Sequence, residues 1–509
     1  MSMPAEHIIR PTTLTELLQG FADAPALPIS GIASDSRQLQ RGYLFLACQG
    51  ISSHGVDYLD QAIEAGAAAI AYDAATAQMP TGDVRVPMIA VEDLGRHLGT
   101  IANRYFGSPS AAMQVIGVTG TNGKTTVAWL IAQCKRRLGE ACGYVGTLGG
   151  GIGGIGVGDI DTNENMTTPA TIELHKRLAE FRNANASSAA VEVSSHALVQ
   201  NRVDGIAFDT VLFTNLSRDH LDYHGDMQNY GDAKARLFVE YGAKQCIINL
   251  DSEFGSKLAE RCGQDVIVVS TKFDRVVSGR SYVFVRSVVA KENGSQVRVS
   301  SSWGDGEIAL PLPGEFNVAN AVIVLALLLS QGVPIGKACA VLEDIEAPPG
   351  RMQRVSPVDS RATVYIDYAH TPDALEVALR ALKAHCRGKL WCVFGCGGDR
   401  DAGKRPLMGR IAERHADRLV ITNDNPRSEP HDEIIAAIVD GMEQPENAKV
   451  LEDREAAIAW AINEARSKDV ILIAGKGHET YQLIGAERRD FSDFAAAQSI
   501  LAGYAEAKE

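Results

Sequence analysis

The fold is decided by one stretch of the sequence, Val115-Ile116-Gly117-Val118-Thr119-Gly120-Thr121-Asn122-Gly123-Lys124-Thr125-Thr126. It leads from an apolar strand into a helical pattern whose apolar face carries Val127, Leu130, Ile131, Cys134 and Leu138. A glycine-rich loop at the start of a helix lets backbone N–H groups converge on phosphate oxygens. Lys124 can then reach the β- and γ-phosphates, and the Thr125 hydroxyl can hold Mg²⁺. The stretch predicts a mononucleotide site formed by Gly117, Thr119, Gly120, Thr121, Asn122, Gly123, Lys124, Thr125 and Thr126.

The spacing of these glycines departs from the usual phosphate-loop pattern. In Gly-x-x-x-x-Gly-Lys-Ser/Thr the first glycine would stand at position 118, which is Val118 in this chain. The alternative is a glycine-rich turn that binds nothing. That alternative does not explain Lys-Thr-Thr at the start of a helix, so we expect nucleotide binding.

Length and composition restrict the class of protein. The chain has 509 residues, a formal net charge of -14 and 45% hydrophobic residues. One hydrophobic core rarely serves more than roughly 250–300 residues, so two to four domains are expected. The acidic balance argues against a nucleic-acid coat or an anionic-membrane protein.

The longest apolar run, 321–329, is about half of a membrane span, and 1–20 lacks a signal-peptide core. Nine cysteines without a CxxC pair are typical of reduced thiols, so a cytoplasmic protein is predicted.

Two boundaries divide the chain into predicted domains 1–107, 108–347 and 348–509. The first follows a helix that ends at Gly107-Ser108-Pro109, and the second is the proline-rich stretch 346–350. Apolar runs alternate with helical patterns in the second and third domains, as in a parallel sheet covered on both faces. Four runs of the third domain are predicted to be buried strands: 364–366, 390–394, 419–422 and 470–474. A period-two pattern over 282–312 predicts a small antiparallel addition. The fold class is therefore α/β, with a central parallel-sheet domain that carries the phosphate loop and a Rossmann-like C-terminal domain.

Glu192 is the candidate for the second magnesium carboxylate that a phosphate loop needs at the end of a nearby strand. It lies between two valines at the end of the apolar run 189–193. A charged group there must be exposed at the sheet edge or paired, and a metal ion would pair it. The alternative is an ordinary glutamate at a strand end.

Lys234 lies on the apolar side of a helix predicted over 230–238. An inward lysine is costly unless it is paired, deprotonated or modified. Periodicity alone favours a buried stem with its ammonium in water. The alternative is a neutral amine that has reacted with CO₂ to form a carbamate, which is a metal-binding carboxylate. His220, in a nearby polar run, is either a Mg²⁺ ligand or a hydrogen-bonded histidine.

Several motifs in one order resemble the Mur ligases, the three-domain, ATP-dependent amide-bond ligases of peptidoglycan synthesis. In the middle of the chain they are the phosphate loop, Glu192-Val193-Ser194-Ser195-His196, 215–225 and 230–238. Four C-terminal motifs are similar to the branch that adds the third residue of the stem peptide: Asp367-Tyr368-Ala369-His370-Thr371-Pro372, Gly397-Gly398-Asp399-Arg400, Asp424-Asn425-Pro426-Arg427 and Gly475-Lys476-Gly477-His478-Glu479. The matching motifs extend from Asp35 to Glu479.

The resemblance implies catalytic roles for Lys124, Glu192, His220 and Lys234. It also implies two Mg²⁺ ions held by Thr125, Glu192, His220 and the carbamate of Lys234, and so it favours the carbamate over the solvent-reaching lysine. It adds to the ATP site Asn317, Asn320, Arg351, Asp367 and His370. Without the family, Asn317 and Asn320 would be interpreted as a helix cap and its neighbour.

The resemblance further implies a site for the UDP-sugar substrate. Its residues are Ser34, Ser36, Ile51, Ser52, Ser53, Thr167, Thr168, Ser194, Gln200 and Arg202. Met166 stands where the family often has an asparagine that contacts the substrate, so that polar contact is not carried over to this chain.

The third substrate is expected to be meso-diaminopimelate. Members of this branch add either diaminopimelate or lysine, which differ by one carboxylate, and a guanidinium suits a carboxylate through paired hydrogen bonds. Arg427, in the fourth position of Asp-Asn-Pro-Arg, resembles the diaminopimelate form, and its alternative is a surface arginine after a turn. The implied amino-acid site contains Arg400, Asp424, Asn425, Pro426, Arg427, Gly475 and Glu479.

The implied reaction joins UDP-MurNAc-L-Ala-D-Glu to meso-diaminopimelate, with cleavage of ATP to ADP and phosphate through an acyl phosphate. A cytoplasmic monomer without nucleic-acid partners or membrane insertion is expected. The alternatives are a lysine-adding ligase, a folylpolyglutamate-synthase-like ligase and a non-catalytic nucleotide-binding module. A lysine-adding ligase would not need the guanidinium of Arg427. A folylpolyglutamate-synthase-like ligase is not expected to contain Asp-Asn-Pro-Arg.

Overall fold

The computed structural model describes residues 12–50, 53–77, 85–152, 166–263, 265–272, 279–355 and 361–506. The chain forms two compact units, which divide between Val268 and Val269. This division falls inside the predicted middle domain, and the domain boundaries at 107/108 and 347/348 stay predictions.

The first unit begins with a small parallel sheet. The elements of this part are β1 (Thr12–Thr13), α1 (Leu14–Leu18), β2 (Pro28–Ile29), β3 (Gly31–Ala33), β4 (Tyr43–Ala47), α2 (Leu59–Glu64), β5 (Ala69–Asp73), β6 (Met88–Val91) and α3 (Leu94–Tyr105). β1 and β2 form a separate antiparallel pair. The order β3-β4-β5-β6 is parallel throughout. Side chains of a strand alternate between faces, so Leu44 and Leu46 enter one buried cluster while Phe45 and Ala47 enter the other. Both faces are covered, as parallel sheets require.

A second sheet in this unit carries the phosphate loop. Its elements are β7 (Gln114–Thr119), α4 (Lys124–Arg137), β8 (Cys142–Gly146), β9 (Gly149–Ile152), α5 (Thr171–Asn183), β10 (Ser188–Glu192), α6 (Ser195–Val199), β11 (Thr210–Phe213), α7 (Leu221–His224), α8 (Met227–Val239), β12 (Gln245–Asn249) and α9 (Glu253–Arg261). The order is β12-β11-β7-β10-β8-β9, and β9 alone of these six strands is antiparallel to its neighbour. β7 lies between β10 and β11, with Val118 beside Glu192 on one side and Leu212 on the other. The carboxyl ends of these three strands therefore meet at one edge, where α/β sheets bind ligands.

β13 (Val266–Ser270) straddles the division, and the second unit continues with an antiparallel meander packed against helices. Its elements are β14 (Tyr282–Lys291), β15 (Gly294–Ser301), β16 (Gly304–Leu310), α10 (Glu315–Ser330) and α11 (Ile335–Glu343). β14 pairs with β15 and β15 pairs with β16, both antiparallel, which confirms the predicted antiparallel addition. The apolar run 321–329 lies within the buried part of α10. Within the described ranges, no helix has both the length and the apolar character needed to cross a membrane.

The rest of the second unit is built on a third sheet. Its elements are β17 (Gln353–Arg354), β18 (Thr363–Asp367), α12 (Pro372–His385), β19 (Leu390–Phe394), α13 (Lys404–His415), β20 (Arg418–Ile421), α14 (His431–Val439), β21 (Ala448–Val450), α15 (Arg454–Glu464), β22 (Val470–Ala474), β23 (Tyr481–Ile484), β24 (Glu487–Asp490) and α16 (Asp493–Glu506). The order is β17-β18-β22-β19-β20-β21, parallel except for β17. Buried clusters cover both faces, which confirms the predicted α/β domain and its four predicted strands. The hairpin of β23 and β24 was not predicted.

A fully buried ion pair ties two helices to this sheet. Arg454 begins α15 and Asp493 begins α16, and both side chains are 0% exposed. The guanidinium donates to both carboxylate oxygens, at 2.7 and 2.8 Å. It also donates to the carbonyl oxygens of Asn423 at 3.1 Å and Ala474 at 2.9 Å. These two carbonyls begin the loops after β20 and β22, so one side chain fixes both loops.

Asp493→Asn is expected to destabilise the C-terminal sheet by about 3–5 kcal/mol, because it leaves a buried guanidinium without a counter-charge. Hydrogen exchange of α15 and α16 amides, which reports local opening free energies, measures the effect. The matched control is Glu452→Gln, which breaks the exposed His431–Glu452 pair in the same domain and is expected to leave exchange unchanged. Equal changes in both variants would contradict the prediction.

Candidate active site

The phosphate loop joins the end of β7 to the start of α4. Gly120 has φ +147°, and a Cβ built on it would lie 1.9 Å from the Thr214 hydroxyl oxygen, so only glycine fits there. Gly123 has φ +85° and directly precedes Lys124, the first residue of α4. Gly117 lies inside β7, where a Cβ would contact the ring of Phe208 at 2.9 Å. The first two glycines shape the loop, and the third makes room for packing.

The end of β11 holds this loop in place. The N–H of Thr121 donates to the Asn215 carbonyl at 2.8 Å, and the N–H of Asn122 donates to the Asn215 side chain at 3.0 Å. The Thr214 hydroxyl donates to the Asn122 carbonyl at 2.5 Å. The first N–H groups of a helix point away from its own acceptors, so the start of α4 suits phosphate oxygens. The sequence did not identify Thr214 and Asn215 as supports, because only the strand order brings them to the loop.

Two lysines donate to the same backbone carbonyl in this loop. The Nζ of Lys124 lies 2.9 Å from the Gly120 oxygen and 2.8 Å from the Thr121 oxygen. The Nζ of Lys234, on α8, also lies 2.9 Å from the Gly120 oxygen. Both lysine Nζ atoms are therefore held over the loop. An anionic phosphate bound there would neutralise positive charge on them.

Lys234 is 1% exposed, and its Nζ lies 4.3 Å from the ring centre of Tyr230. The interpretation that its ammonium reaches water is wrong, because Ala233, Leu237 and Phe238 of the same helix are buried with it. Burial lowers the pKa of Lys234 well below its ordinary value, the charge of Lys124 lowers it further, and Asp219 opposes the shift. The amine is thereby shifted towards its neutral, nucleophilic form.

Glu192, at the end of β10, is a fully buried carboxylate in a cage of donors. The hydroxyls of Thr125 and Tyr144 donate to it at 2.9 and 2.6 Å. Thr147 donates its N–H at 3.0 Å and its hydroxyl at 3.2 Å. A Cβ on Gly146 would lie 2.0 Å from the carboxylate, so this position needs glycine. Tyr144 and Thr147 were not predicted; the available signal was a polar residue directly after an apolar strand, β8.

His220 lies at the edge of this group and not inside it. Its side chain is 46% exposed, and its φ of +51° marks the residue before α7. Its ring centre lies 6.0 Å from that of Tyr230 and 4.8 Å from that of His196. Burial lowers the pKa of His196 to about 4, and neighbouring His220 and His224 lower it too. In the part of the chain that the structure describes, no three His, Cys, Asp or Glu side chains form a group that could hold a metal ion.

The described residues among those predicted for the UDP-sugar lie in two places in the first unit. Around the end of β10, Thr168 donates to the Glu192 carbonyl at 2.7 Å and accepts from the Ser194 N–H at 3.0 Å. Arg202 donates to the Thr168 carbonyl at 3.0 Å and to the Gln200 side chain. Thr167 also belongs to this group, since its hydroxyl lies 3.3 Å from that of Thr147.

Three further UDP-sugar candidates, Ser34, Ser36 and Ser53, follow β3 or β4 of the small N-terminal sheet. Ser34 is exposed directly after β3, and Ser36 donates to Gln61 at 2.8 Å. Ser53 accepts from the Tyr58 hydroxyl at 3.3 Å. Ile51 and Ser52 lie outside the described residues.

The nucleotide residues predicted for the second unit are on α10 and at the end of β18. Asn317 and Asn320 are buried inside α10, whose N-cap is Gly314, so the helix-cap interpretation is wrong. The Asp367 carboxylate accepts from the N–H groups of Met352 at 2.8 Å and Ala369 at 2.9 Å, and burial raises its pKa.

Tyr368 joins the other two nucleotide residues of this unit. The guanidinium of Arg351 lies 4.7 Å from the centre of the Tyr368 ring. The ring of His370 lies 4.5 Å from the same centre. The sequence did not single out Tyr368, although it stands inside the Asp367–Pro372 motif.

Loops after β19, β20 and β22 bring the predicted amino-acid residues together. Arg427 has φ +53°, and its guanidinium donates to the Gly398 carbonyl at 2.8 Å. Asn425 is 1% exposed and donates to Glu479 at 2.8 Å. A Cβ on Gly475 would lie 2.7 Å from the carboxylate of Asp424. Two predicted residues join them: Arg400 is exposed in the first loop, and Pro426 lies between Asn425 and Arg427.

A phosphate loop on a parallel sheet, beside a caged carboxylate and a buried lysine, defines a nucleotide-binding α/β protein. Three family descriptions match the chain: "Mur ligase family, catalytic domain" over residues 28–106, "Mur ligase middle domain" over 118–328 and "Mur ligase, glutamate ligase domain" over 350–477. The chain belongs to the Mur ligase family, and it has that family's three-domain architecture.

The chain is similar to curated proteins and to solved structures over nearly its whole length. The UDP-N-acetylmuramoyl-L-alanyl-D-glutamate--2,6-diaminopimelate ligase of Coxiella burnetii is 43% identical over 474 residues, 93% of this chain and 96% of that protein. The Haemophilus influenzae (strain PittEE) protein of the same name is 41% identical, with the same shares covered. A solved structure of a ligase of this name has a TM-score of 0.72 at 30% identity, covering 97% of this chain and 99% of that one. MurF from Acinetobacter baumannii has the same fold. Its structure matches with a TM-score of 0.63 at 18% identity, covering 98% of this chain and 99% of that one.

Lys234→Met is expected to stabilise the protein most at neutral pH, with the gain shrinking as pH rises towards about 10.4. A lysine whose folded pKa lies below its unfolded pKa makes the unfolded state bind more protons between the two values, so stability rises with pH there. Methionine removes that dependence. Thermal unfolding of both proteins from pH 7 to 10, in CO₂-free buffer, measures the difference. The exposed Lys176→Met is the control, and a gain independent of pH would contradict the prediction.

Proposed function

We propose that the protein is an ATP-dependent ligase that joins meso-diaminopimelate to UDP-MurNAc-L-Ala-D-Glu in peptidoglycan precursor synthesis. The observation that carries this function is the pair of relatives named for that activity, 41% and 43% identical over 93% of the chain. A ligase of that name is also the solved structure at 30% identity. The geometry of the two groups of site residues supports the same reaction.

The reaction has two steps. The γ-carboxylate of D-Glu attacks the γ-phosphorus of ATP, which releases ADP and leaves an acyl phosphate. The amine of diaminopimelate then attacks the acyl carbonyl and releases phosphate. The ammonium of Lys124 and the N–H groups at the start of α4 stabilise the negative charge of the transferring phosphoryl group. The hydrogen bonds from Thr214 and Asn215 hold the phosphate loop in position before the substrate arrives, so its donors need little reorganisation.

The residues around Glu192 fit a magnesium ion. Thr125 and Glu192 place a hydroxyl and a carboxylate 2.9 Å apart beside the phosphate loop, and hard oxygen ligands of this kind suit Mg²⁺. When bound, Mg²⁺ would neutralise charge on the phosphates. The same proposal gives His220 a place among the ligands of a second ion.

Lys234 suits a carbamate because its amine is buried, is shifted towards the neutral form and lies beside the phosphate loop. The amine nitrogen would bond to the carbon of CO₂ and lose a proton. The neutral amine would thereby become an anion beside Lys124, and the repulsion that Lys124 exerts on the ammonium form of Lys234 would be replaced by attraction. The carbamate oxygens would then be available as metal ligands.

Arg427 supports diaminopimelate over lysine as the amino acid. Its side chain is half-buried, and one guanidinium nitrogen, Nη1, is held by the Gly398 carbonyl. A guanidinium fixed in this way can pair with the distal carboxylate that lysine lacks. Glu479 is proposed to accept an ammonium of the same substrate. All nine cysteines lie among the described residues and none of them forms a disulfide, which fits the proposed cytoplasmic location. The monomeric state stays a prediction.

Phosphate release with ATP and UDP-MurNAc-L-Ala-D-Glu is expected to depend on meso-diaminopimelate. L-lysine is expected to give a kcat/KM at least about 100-fold lower, because it leaves the guanidinium of Arg427 unpaired. Release with neither amino acid would contradict the proposed ligase and favour a non-catalytic nucleotide-binding module. A preference for lysine would contradict only the role of Arg427.

Arg427→Met provides the matched test of that role. It is expected to raise the KM for meso-diaminopimelate and to reduce the discrimination against lysine. The control is Arg418→Met, which removes an exposed arginine at the amino end of β20, at the opposite end of that strand. Unchanged discrimination in Arg427→Met would exclude the carboxylate contact.

Lys234→Ala is expected to abolish turnover, and a short carboxylate such as acetate is expected to restore part of it. The added carboxylate would take the place of the carbamate oxygens, whereas no carboxylate would restore a role that needs an ammonium. Intact-protein mass, measured in bicarbonate buffer without acid, is expected to show one added CO₂ in the wild type and none in the variant. An active Lys234→Ala enzyme would rule out the carbamate role.

A further inference from the structure

Lys476 is a lysine without solvent contact in the loop that follows β22. Its side chain is 0% exposed, and the glycines on either side of it have φ of +113° and +55°. These left-handed backbone conformations turn the loop so that the lysine side chain enters the protein. The N–H of Glu479 donates to the Lys476 carbonyl at 3.0 Å, so one turn presents both side chains.

The ammonium of Lys476 closes a triangle of hydrogen bonds with two residues of the proposed amino-acid site. Its Nζ lies 3.0 Å from Asn425 Oδ1 and 2.9 Å from Glu479 Oε2. The third side of the triangle is the bond from Asn425 Nδ2 to Glu479 Oε2, at 2.8 Å. A buried charged group that makes two such bonds has its partners fixed in position.

The triangle also decides which way the Asn425 amide faces. Asn425 Oδ1 accepts from Lys476 and from the N–H of Leu483, which lies 3.0 Å away. Both partners are donors only, so the amide oxygen must face them and the NH₂ must face Glu479. Without the ammonium of Lys476, one of the two hydrogen bonds that orient the Asn425 amide is lost.

Of the two carboxylate oxygens of Glu479, one accepts hydrogen bonds from described residues and the other accepts none. Oε2 accepts from both Lys476 and Asn425, while Oε1 accepts no hydrogen bond from any described residue. The Glu479 side chain is 19% exposed, in contrast to the fully buried lysine. The carboxylate can therefore meet a ligand with Oε1 while Oε2 anchors it.

We propose that Lys476 is a positioning residue for the incoming amino acid: it holds Glu479 and Asn425 so that Glu479 Oε1 receives the substrate ammonium. This inference rests on the proposed function. It adds a residue that never touches the substrate, because the ammonium of Lys476 is buried behind the two side chains that do. Its charge balances that of Glu479 while the site is empty, and the substrate ammonium then meets an oriented carboxylate.

A merely structural lysine would behave differently. Loss of a buried ion pair lowers stability, which reduces the amount of folded enzyme and leaves the KM of each substrate unchanged. Loss of a positioning residue weakens one substrate selectively. The discriminating measurement is therefore the KM for meso-diaminopimelate compared with the KM for ATP and for UDP-MurNAc-L-Ala-D-Glu.

Lys476→Met in the full-length enzyme is expected to raise the KM for meso-diaminopimelate at least about tenfold, as supporting residues behind a ligand shell do. The KM values for ATP and the UDP-dipeptide are expected to stay within about twofold, since Lys476 contacts neither group of residues proposed for them. The control is Lys383→Met, which breaks the Lys383–Asp417 pair at the amino ends of β19 and β20, the opposite edge of the same sheet. Equal changes for all three substrates, or an unchanged KM for meso-diaminopimelate, would overturn the proposal.

A double-mutant cycle with Glu479→Gln tests whether Lys476 acts through Glu479. The double variant is expected to lose no more kcat/KM for meso-diaminopimelate than Glu479→Gln alone. A further tenfold loss in the double variant would overturn the proposal. The double variant leaves no unpaired buried charge, so this comparison remains decisive if Lys476→Met alone does not fold. The proposed function fails separately, if the wild type releases no phosphate with meso-diaminopimelate.

Discussion

One backbone carbonyl, that of Gly120, accepts hydrogen bonds from the ammonium groups of two lysines, and the chemistry of the first unit depends on this arrangement. Lys234 is buried, and it shares this neutral acceptor with a second cation, Lys124, which repels its ammonium form. The amine of Lys234 is consequently shifted towards its neutral form, and anions are favoured beside the loop. The oxygen has this position because Gly120 packs against Thr214, where no side chain would fit.

Buried charges recur at the carboxyl ends of the parallel strands. Glu192 is held by hydroxyl donors from α4 and β8 and by the N–H of Thr147, directly after β8. Lys476 is held by a carboxylate and an amide from two loops of the C-terminal sheet. Arg454 links those same loops through their carbonyl groups. Each buried charge is satisfied by groups that come from separate elements of the fold. The cost of leaving any one of them unpaired is what fixes the loops relative to each other.

Much of the architecture was predictable from local patterns. The strand and helix at the phosphate loop, the four C-terminal strands and the antiparallel meander follow from apolar runs and periodicity, because those patterns reflect which side chains must leave water. The candidate residues at strand ends were predictable for a related reason: polar residues directly after a buried strand emerge at one edge of a parallel sheet. The short hairpin of β23 and β24 escaped prediction, since β24 consists of exposed, charged residues and β23 is only four residues long.

The sequence by itself determined the class of fold, the phosphate loop and the motifs of the family, since each is written in consecutive residues. Only the tertiary structure decided that Lys234 is sealed from water, that Tyr144 and Thr147 surround Glu192, and that Lys476 faces Asn425. A helical pattern states which face is apolar, but a long side chain on that face can still reach solvent unless its neighbours close over it. Strand order and register supply those neighbours. They bring together residues that are far apart in the chain, and a local sequence pattern does not predict such contacts.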